Sequence, residues 1–238
     1  MIVLAIDTTS LHGGVAVYRD ATPLSQVLNT RPANLYSVTL FEMAELALAQ
    51  SKLRFADVDL YAAANGPGSF TGIRVGLAAV QGWRSAFNRA ARGVSVFEAM
   101  VETARPGTHL AIPIVDARRG EFYLNIFRRE SHVAAPHDGN FRADAEGWVL
   151  DRAAIVRLLE KIPPAELASL AWVAREGDAA SHELYQSLGL PGQWRTLSEP
   201  LLGAIARIAR RGVENSEPSS PLDALYIRRS DAELNWRG

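Results

Sequence analysis

Five consecutive apolar residues, Ile2-Val3-Leu4-Ala5-Ile6, stand near the head of the chain and run directly into Asp7. A strand-length apolar run without polar alternation suits a strand buried on both faces, in the middle of a sheet covered by helices. The run has no basic flank and meets a carboxylate at once, so it reads as a strand and not as a leader peptide. Gly13-Gly14 then make a turn, Val15–Tyr18 return, and Leu24–Leu28 follow after Pro23. These are closely spaced hairpin signals.

A helix-length stretch comes next, over 35–50, and then a second apolar run, Leu60-Tyr61-Ala62-Ala63-Ala64. Gly66 to Gly72 break the pattern. A helix over 71–88, a strand at 94–96 and a short helix to about 104 complete the first half. An antiparallel meander followed by parallel units is not the strict strand–helix alternation of a dinucleotide-binding fold. It predicts an α/β protein of mixed sheets with helices on their faces. The 238 residues suffice for two lobes, and Arg105-Pro106-Gly107-Thr108 punctuates the chain, so the expected division is 1–105 and 106–238. The second half predicts strands over 109–115 and 121–127 around an Asp116–Gly120 turn. Helices over 151–161, 178–187 and 199–212, a strand at 170–174, a linker at 215–221 and an extended segment at 222–228 follow. No internal repeat of fixed period is visible.

Charge and composition exclude several classes. A formal charge of -1 argues against a chain that grips nucleic acid by itself. The absence of cysteine excludes a disulfide scaffold and thiolate metal sites, and fits a cytoplasmic setting. No apolar run approaches the roughly 20 residues needed to cross a bilayer.

The two helices of the first half carry more apolar surface than one buried face uses. The first has Leu35, Val38, Leu40, Phe41, Met43 and Leu46; the second has Ile73, Leu77, Val80, Trp83 and Phe87. A helix lying on a sheet needs a stripe about 100° wide, and these positions wrap further round. Either both helices are deeply buried within one domain, or each keeps one face for a partner.

Two motifs bear on chemistry. Asp7-Thr8-Thr9-Ser10 lies where the first strand runs out. A carboxylate there, beside hydroxyls and N–H groups, could hold a metal–phosphate pair, or the residues could satisfy one another in a turn. Gly66-Pro67-Gly68-Ser69-Phe70-Thr71-Gly72-Ile73-Arg74-Val75-Gly76 leaves a strand and enters a helix, so its free N–H groups and helix dipole suit an anion. The glycine spacing matches neither the dinucleotide nor the Walker pattern. A phosphate cradle over Gly66, Gly68, Ser69, Thr71 and Gly72 and a purely architectural turn are equally compatible with it. The five histidines, His12, His109, His132, His137 and His182, include no pair at i, i+4, so no helical metal pair is present. Ser69 is not set in a nucleophile elbow. Arg207, Arg210 and Arg211 either oppose a helix dipole or touch RNA phosphate.

The Ile-Asp-Thr-Thr start, the glycine block at 66–76, the Asp116-Ala117-Arg118-Arg119-Gly120-Glu121 turn and the late Leu225-Tyr226-Ile227-Arg228 segment occur in the order found in the TsaB (YeaZ) family. The chain resembles that family over nearly its whole length, most specifically at 66–76. The resemblance implies a two-lobed fold of the actin/Hsp70/sugar-kinase (ASKHA) class and a part in making the threonylcarbamoyl modification of adenosine 37 (t6A37) in tRNA. It implies a non-catalytic scaffold, an inactive relative of the catalytic subunit TsaD, which it binds and activates through the two apolar helices. A TsaE-type ATPase joins that complex, tRNA is met only through it, and the same helices close a homodimer when the partner is absent. ATP or ADP with magnesium is then a ligand at the level of the complex, with Asp7, Thr8 and Thr9 and the glycine block as the weak candidates within this chain. An ATP-binding phosphotransferase or ATPase is the alternative. Tyr36 stands where family members often carry a His, and Gly177-Asp178 resembles the glycine turn that holds adenosine in the superfamily.

Overall fold

The strand that the sequence marks most strongly is the centre of the first sheet. A computed structural model describes residues 1–30, 35–103, 109–129, 141–217, 222–225 and 227. The chain divides into two compact units, one of Met1–Ala99 with Glu199–Leu225 and one holding Met100–Ser198. The first contains β1 (Ile2–Asp7), β2 (Gly14–Arg19), β3 (Thr22–Leu28), α1 (Tyr36–Gln50), β4 (Leu60–Ala64), α2 (Phe70–Phe87) and β5 (Ala90–Val94), and α3 (Val96–Glu102) follows. Its strand order is β3-β2-β1-β4-β5. β2 is antiparallel to both neighbours, whereas β1, β4 and β5 are parallel. Leu4, Ile6, Val17, Tyr61 and Ala63 share one core with Leu40, Ala44 and Leu48 of α1 and Ile73, Leu77 and Val80 of α2. The fifth strand begins at Ala90, not at the expected 94, and α3 begins at Val96. α2 ends at Asn88 in the left-handed conformation, and Ala90 then aligns with Leu60 of β4. Arg92, whose charge hid the strand from the apolar pattern, is buried because its guanidinium donates to Glu217 Oε2 at 3.2 Å.

The second unit contains β6 (Leu110–Asp116), β7 (Glu121–Leu124), β8 (Phe127–Arg129), β9 (Phe141–Ala143), β10 (Trp148–Asp151), α4 (Arg152–Leu159), α5 (Pro164–Leu167), β11 (Leu170–Arg175), α6 (Ala179–Leu188) and β12 (Gln193–Leu197). Its main path is β10-β7-β6-β11-β12, with β8 paired to β6 and β9. β7 is antiparallel to β6 and β10, and β6, β11 and β12 are parallel. The two units thus share one strand order and sense, although no repeat shows in the sequence. The strand expected over 121–127 is broken at Asn125, opposite Pro113, which has no N–H for the ladder. Asn125 is buried and repairs the break. Its Nδ2 donates to Ala145 O at 2.8 Å, and its Oδ1 accepts from Ile126 N at 2.8 Å.

A last helix, α7 (Leu202–Glu214), belongs to the first unit. The expected division at 105/106 therefore differs from the observed one. Val3, Ala5, Leu60 and Ala62 alternate with the residues facing α1 and α2, yet they too are buried. α7 packs on β1, β4 and β5 to cover that second face. Beyond it, Leu225 N donates to Asn65 O at 2.8 Å, tying the segment expected to be extended to the end of β4. The punctuation at 105–108, His132 and His137, the linker from 218, and Tyr226 and Arg228 lie outside the described residues.

Candidate functional site

The turn after β1 and the head of α2 are packed into each other. Asp7, Thr8 and Thr9 are all buried. Asp7 Oδ1 accepts both the backbone N–H of Thr9 at 2.9 Å and its hydroxyl at 2.6 Å. Thr8 Oγ1 donates to Gly72 O at 2.7 Å, and Ser69 N donates to Thr9 O at 2.8 Å. Ser69 caps α2, its side chain accepting from Gly72 N at 3.2 Å, and Gly66 O accepts from Val96 N at 2.7 Å. Contact is close enough to demand glycine. A Cβ on Gly68 would meet Thr9 O at 2.5 Å, and one on Gly76 would meet Thr8 Oγ1 at 2.5 Å. The structure therefore brings the candidate residues Asp7, Thr8, Thr9, Gly66, Gly68, Ser69 and Gly72 to one locus, with Thr71 exposed beside them. The N–H group of Ser69 is turned to Thr9 O and that of Gly72 to the Ser69 hydroxyl.

The two helices divide their candidate residues sharply. On α1, Leu35, Val38, Phe41 and Leu46 are 43, 65, 55 and 49% exposed, while Leu40 and Met43 are buried. On α2, Ile73, Leu77, Val80 and Trp83 are all buried and Phe87 is half-buried. Those α2 residues, with Leu40 and Met43, are therefore core and not free surface. Trp83 explains why: it lies within 6 Å of Phe41, Phe55 and Tyr61 and fills the joint between helix and sheet. The surface α2 offers instead is small. Ala78, Gly82 and Ala86 are exposed at i, i+4 and i+8, with Val75 half-buried beside them, and nothing lies within 4 Å of a Cβ built on Gly82. Large apolar side chains are thus exposed on α1 and small residues on its neighbour α2.

Other expected features resolve locally. Asp116 accepts from Arg118 N at 2.7 Å within its turn. Asp178 caps α6, accepting from Ser181 N and Oγ and from Asp116 N. His182 stacks with Trp194 at 5.1 Å, and Arg210 pairs with Glu214 at 3.0 Å. Among the described residues no group of three or more His, Cys, Asp or Glu side chains is arranged to hold a metal. No described helix is long and apolar enough to cross a membrane.

Several known proteins are similar to this chain. A family profile described as tRNA N6-adenosine threonylcarbamoyltransferase (TsaD) matches residues 30–144, just under half of the chain. The tRNA threonylcarbamoyladenosine biosynthesis protein TsaB of Escherichia coli is 30% identical over 134 residues, covering 56% of this chain and 57% of that protein. TsaB of Bacillus subtilis is 29% identical over 128 residues, covering 54% and 56%. Over these stretches the chain is similar to TsaB/YeaZ proteins. It matches little more than half the length of these curated relatives. The solved structure of YeaZ from Pseudomonas aeruginosa superposes with a TM-score of 0.70 at 20% identity, over 96% of this chain and 99% of that one, and so shares the fold. Tyr36, at the start of α1, is buried, and its hydroxyl donates to Ser10 O at 2.9 Å. Sequence reading missed the exposed small residues Ala78, Gly82 and Ala86. Small residues at i, i+4 spacing were the available signal, but they add nothing to an apolar count.

Proposed function

We propose that this chain is a non-catalytic scaffold subunit in the synthesis of tRNA N6-threonylcarbamoyladenosine at position 37, which binds the TsaD-type catalytic subunit through the face formed by α1 and α2 and activates it. The observation that carries the reading is the exposure of Leu35, Val38, Phe41 and Leu46 on one helix. Four large apolar side chains on one stretch of helix are unfavourable in water unless a partner covers them. The TsaB names of the relatives supply the pathway, and the net charge supports contact with tRNA only through the complex. A TsaE-type ATPase, with ATP or ADP and magnesium, acts in a cytoplasmic complex, and a second copy covers the face when the partner is absent. The phosphotransferase alternative is weaker, because Thr9 holds the Asp7 carboxylate and the head of α2 closes on Thr9 and Ser69.

The test is co-purification of the full chain with the TsaD-type protein of its own organism, with and without ATP. The wild type is expected to bind at micromolar concentration, and a V38D/F41D variant is expected to fail. In cells carrying that variant as the sole copy, mass spectrometry of tRNA digests should show loss of threonylcarbamoyladenosine. Unimpaired binding by the variant would overturn the assignment of the face.

A further inference from the structure

The C-terminal half of α2 and the segment that returns along it enclose an open pocket of about 750 Å³, wholly within the first unit. One wall is Gln81, Arg84, Ser85 and Asn88, spaced at i, i+3, i+4 and i+7, so the four side chains share one side of the helix. Arg89 follows directly, and Leu222 and Asp223 form the opposite wall. Two of these groups also serve the fold. Gln81 Nε2 donates to Leu222 O at 3.2 Å, and Arg89 Nη2 donates to Ala56 O at 2.9 Å. Among the described residues, none hydrogen-bonds or pairs with the side chains of Arg84, Ser85, Asn88 or Asp223. Guanidinium groups and a carboxylate thus line one pocket without neutralising each other.

The walls differ in kind. The α2 side supplies N–H and O–H donors and two positive charges; Asp223, with Gln81 Oε1, supplies acceptors. Leu222 is the one apolar side chain among the described lining residues, and no aromatic ring is there, so neither a base nor a lipid tail has a surface to pack on. Phosphate oxygens accept but do not donate, and the guanidinium fork matches them. A carboxylate repels a phosphate but accepts from a hydroxyl. A ligand that satisfies both walls carries a phosphate and, one sugar away, a hydroxyl donor. We infer that the pocket holds the ribose–phosphate backbone of RNA, with Arg84 and Arg89 on phosphate oxygens and Asp223 on a 2′-hydroxyl. Such a contact positions RNA without reading its sequence. Two cations hold RNA weakly, which agrees with a chain of net charge -1. The assignment rests on the proposed part in tRNA modification and adds where this subunit touches the RNA.

The test is titration of the isotope-labelled full-length chain with tetrauridylate, its 2′-deoxy counterpart, inorganic phosphate and tetraglutamate, read by heteronuclear amide spectra. Tetrauridylate is expected to shift the amides of residues 81–89 and 222–223, less so as salt rises, and the deoxy strand to bind several-fold more weakly. R84E is expected to weaken RNA binding roughly 10-fold, and D223A to remove the preference for RNA over DNA. No response at these residues, an equal response to the deoxy strand, or one to phosphate or tetraglutamate as strong as that to RNA would overturn the assignment. A second measurement separates it from the function on which it rests. R84E, which lies off the Ala78–Gly82–Ala86 stripe, is expected to co-purify with the TsaD-type subunit as the wild type does. The resulting complex should hold tRNA roughly 3- to 10-fold less tightly, with a salt slope lower by about 1. A wild type that shifts with RNA but does not bind that subunit would overturn the scaffold role and leave the pocket. A complex whose tRNA affinity is unchanged by R84E would overturn the pocket and leave the role.

Discussion

At the scale of single residues, the glycine block illustrates how one motif admits two opposite interpretations. Gly68 and Gly76 are glycine because Thr9 and Thr8 occupy the space a side chain would take, and only the folded contact reveals it. Gly68→Ala and Gly76→Ala are expected to destabilise the chain by about 1–3 kcal/mol each through overpacking, as read by urea denaturation. Gly82→Ala is expected to do the reverse, with a gain of about 0.5–1 kcal/mol, because the methyl meets nothing within the chain and helix entropy improves. The same methyl would add bulk to this exposed surface and weaken partner binding. Tyr61 gives a pH-dependent case. Burial pushes its phenol up from 10.0 to about 12, and its hydroxyl donates to Phe55 O at 2.6 Å. The native chain holds this proton where the unfolded chain has lost it, so stability falls as pH rises through that window. Denaturation midpoints between pH 9 and about 12 should fall less steeply for Tyr61→Phe than for the wild type.

At the scale of elements, α1 and α2 were legible as helices but not as surfaces. Their excess of apolar residues is plain in the sequence, yet periodicity alone does not say that Trp83 turns into the joint while Phe41 stays half outside. The aromatic contact between them is decided by where α2 crosses α1. Strand signals failed where burial was incomplete. β12, an edge strand with Gln193 and Thr196 exposed, carries no continuous apolar run. The interruption between β7 and β8 was invisible for another reason, since it arises opposite Pro113 on a different strand. Asn125→Ala is expected to cost about 2–3 kcal/mol in thermal or chemical unfolding, because Ile126 N and Ala145 O would lose their partner in a buried setting. Asn125→Asp should fare little better, because Ala145 O would still lack a donor.

At the scale of the whole molecule, α7 is the element that no local pattern assigns. Its amphipathic sequence announces a helix, but membership of the first unit follows from a need elsewhere: the face of the first sheet that α1 and α2 leave uncovered. A fragment of residues 1–105, the lobe the sequence suggests, is therefore expected not to fold, because Val3, Ala5, Leu60 and Ala62 would face water. Circular dichroism and amide dispersion in heteronuclear spectra would show it, and rescue by a separate peptide spanning 199–225 would confirm the cause. The sequence by itself determined the class of fold, the central strand and the pair of apolar helices, since these depend on local periodicity and on short motifs read in order. Tertiary structure alone decided that Thr9 and Thr8 pack against Gly68 and Gly76, that α2 exposes small residues and not a row of knobs, and that α7 closes the first unit. Each of those outcomes depends on which residues distant in the chain arrive at the same point in space, and hydrophobic burial satisfies that requirement without leaving a local trace.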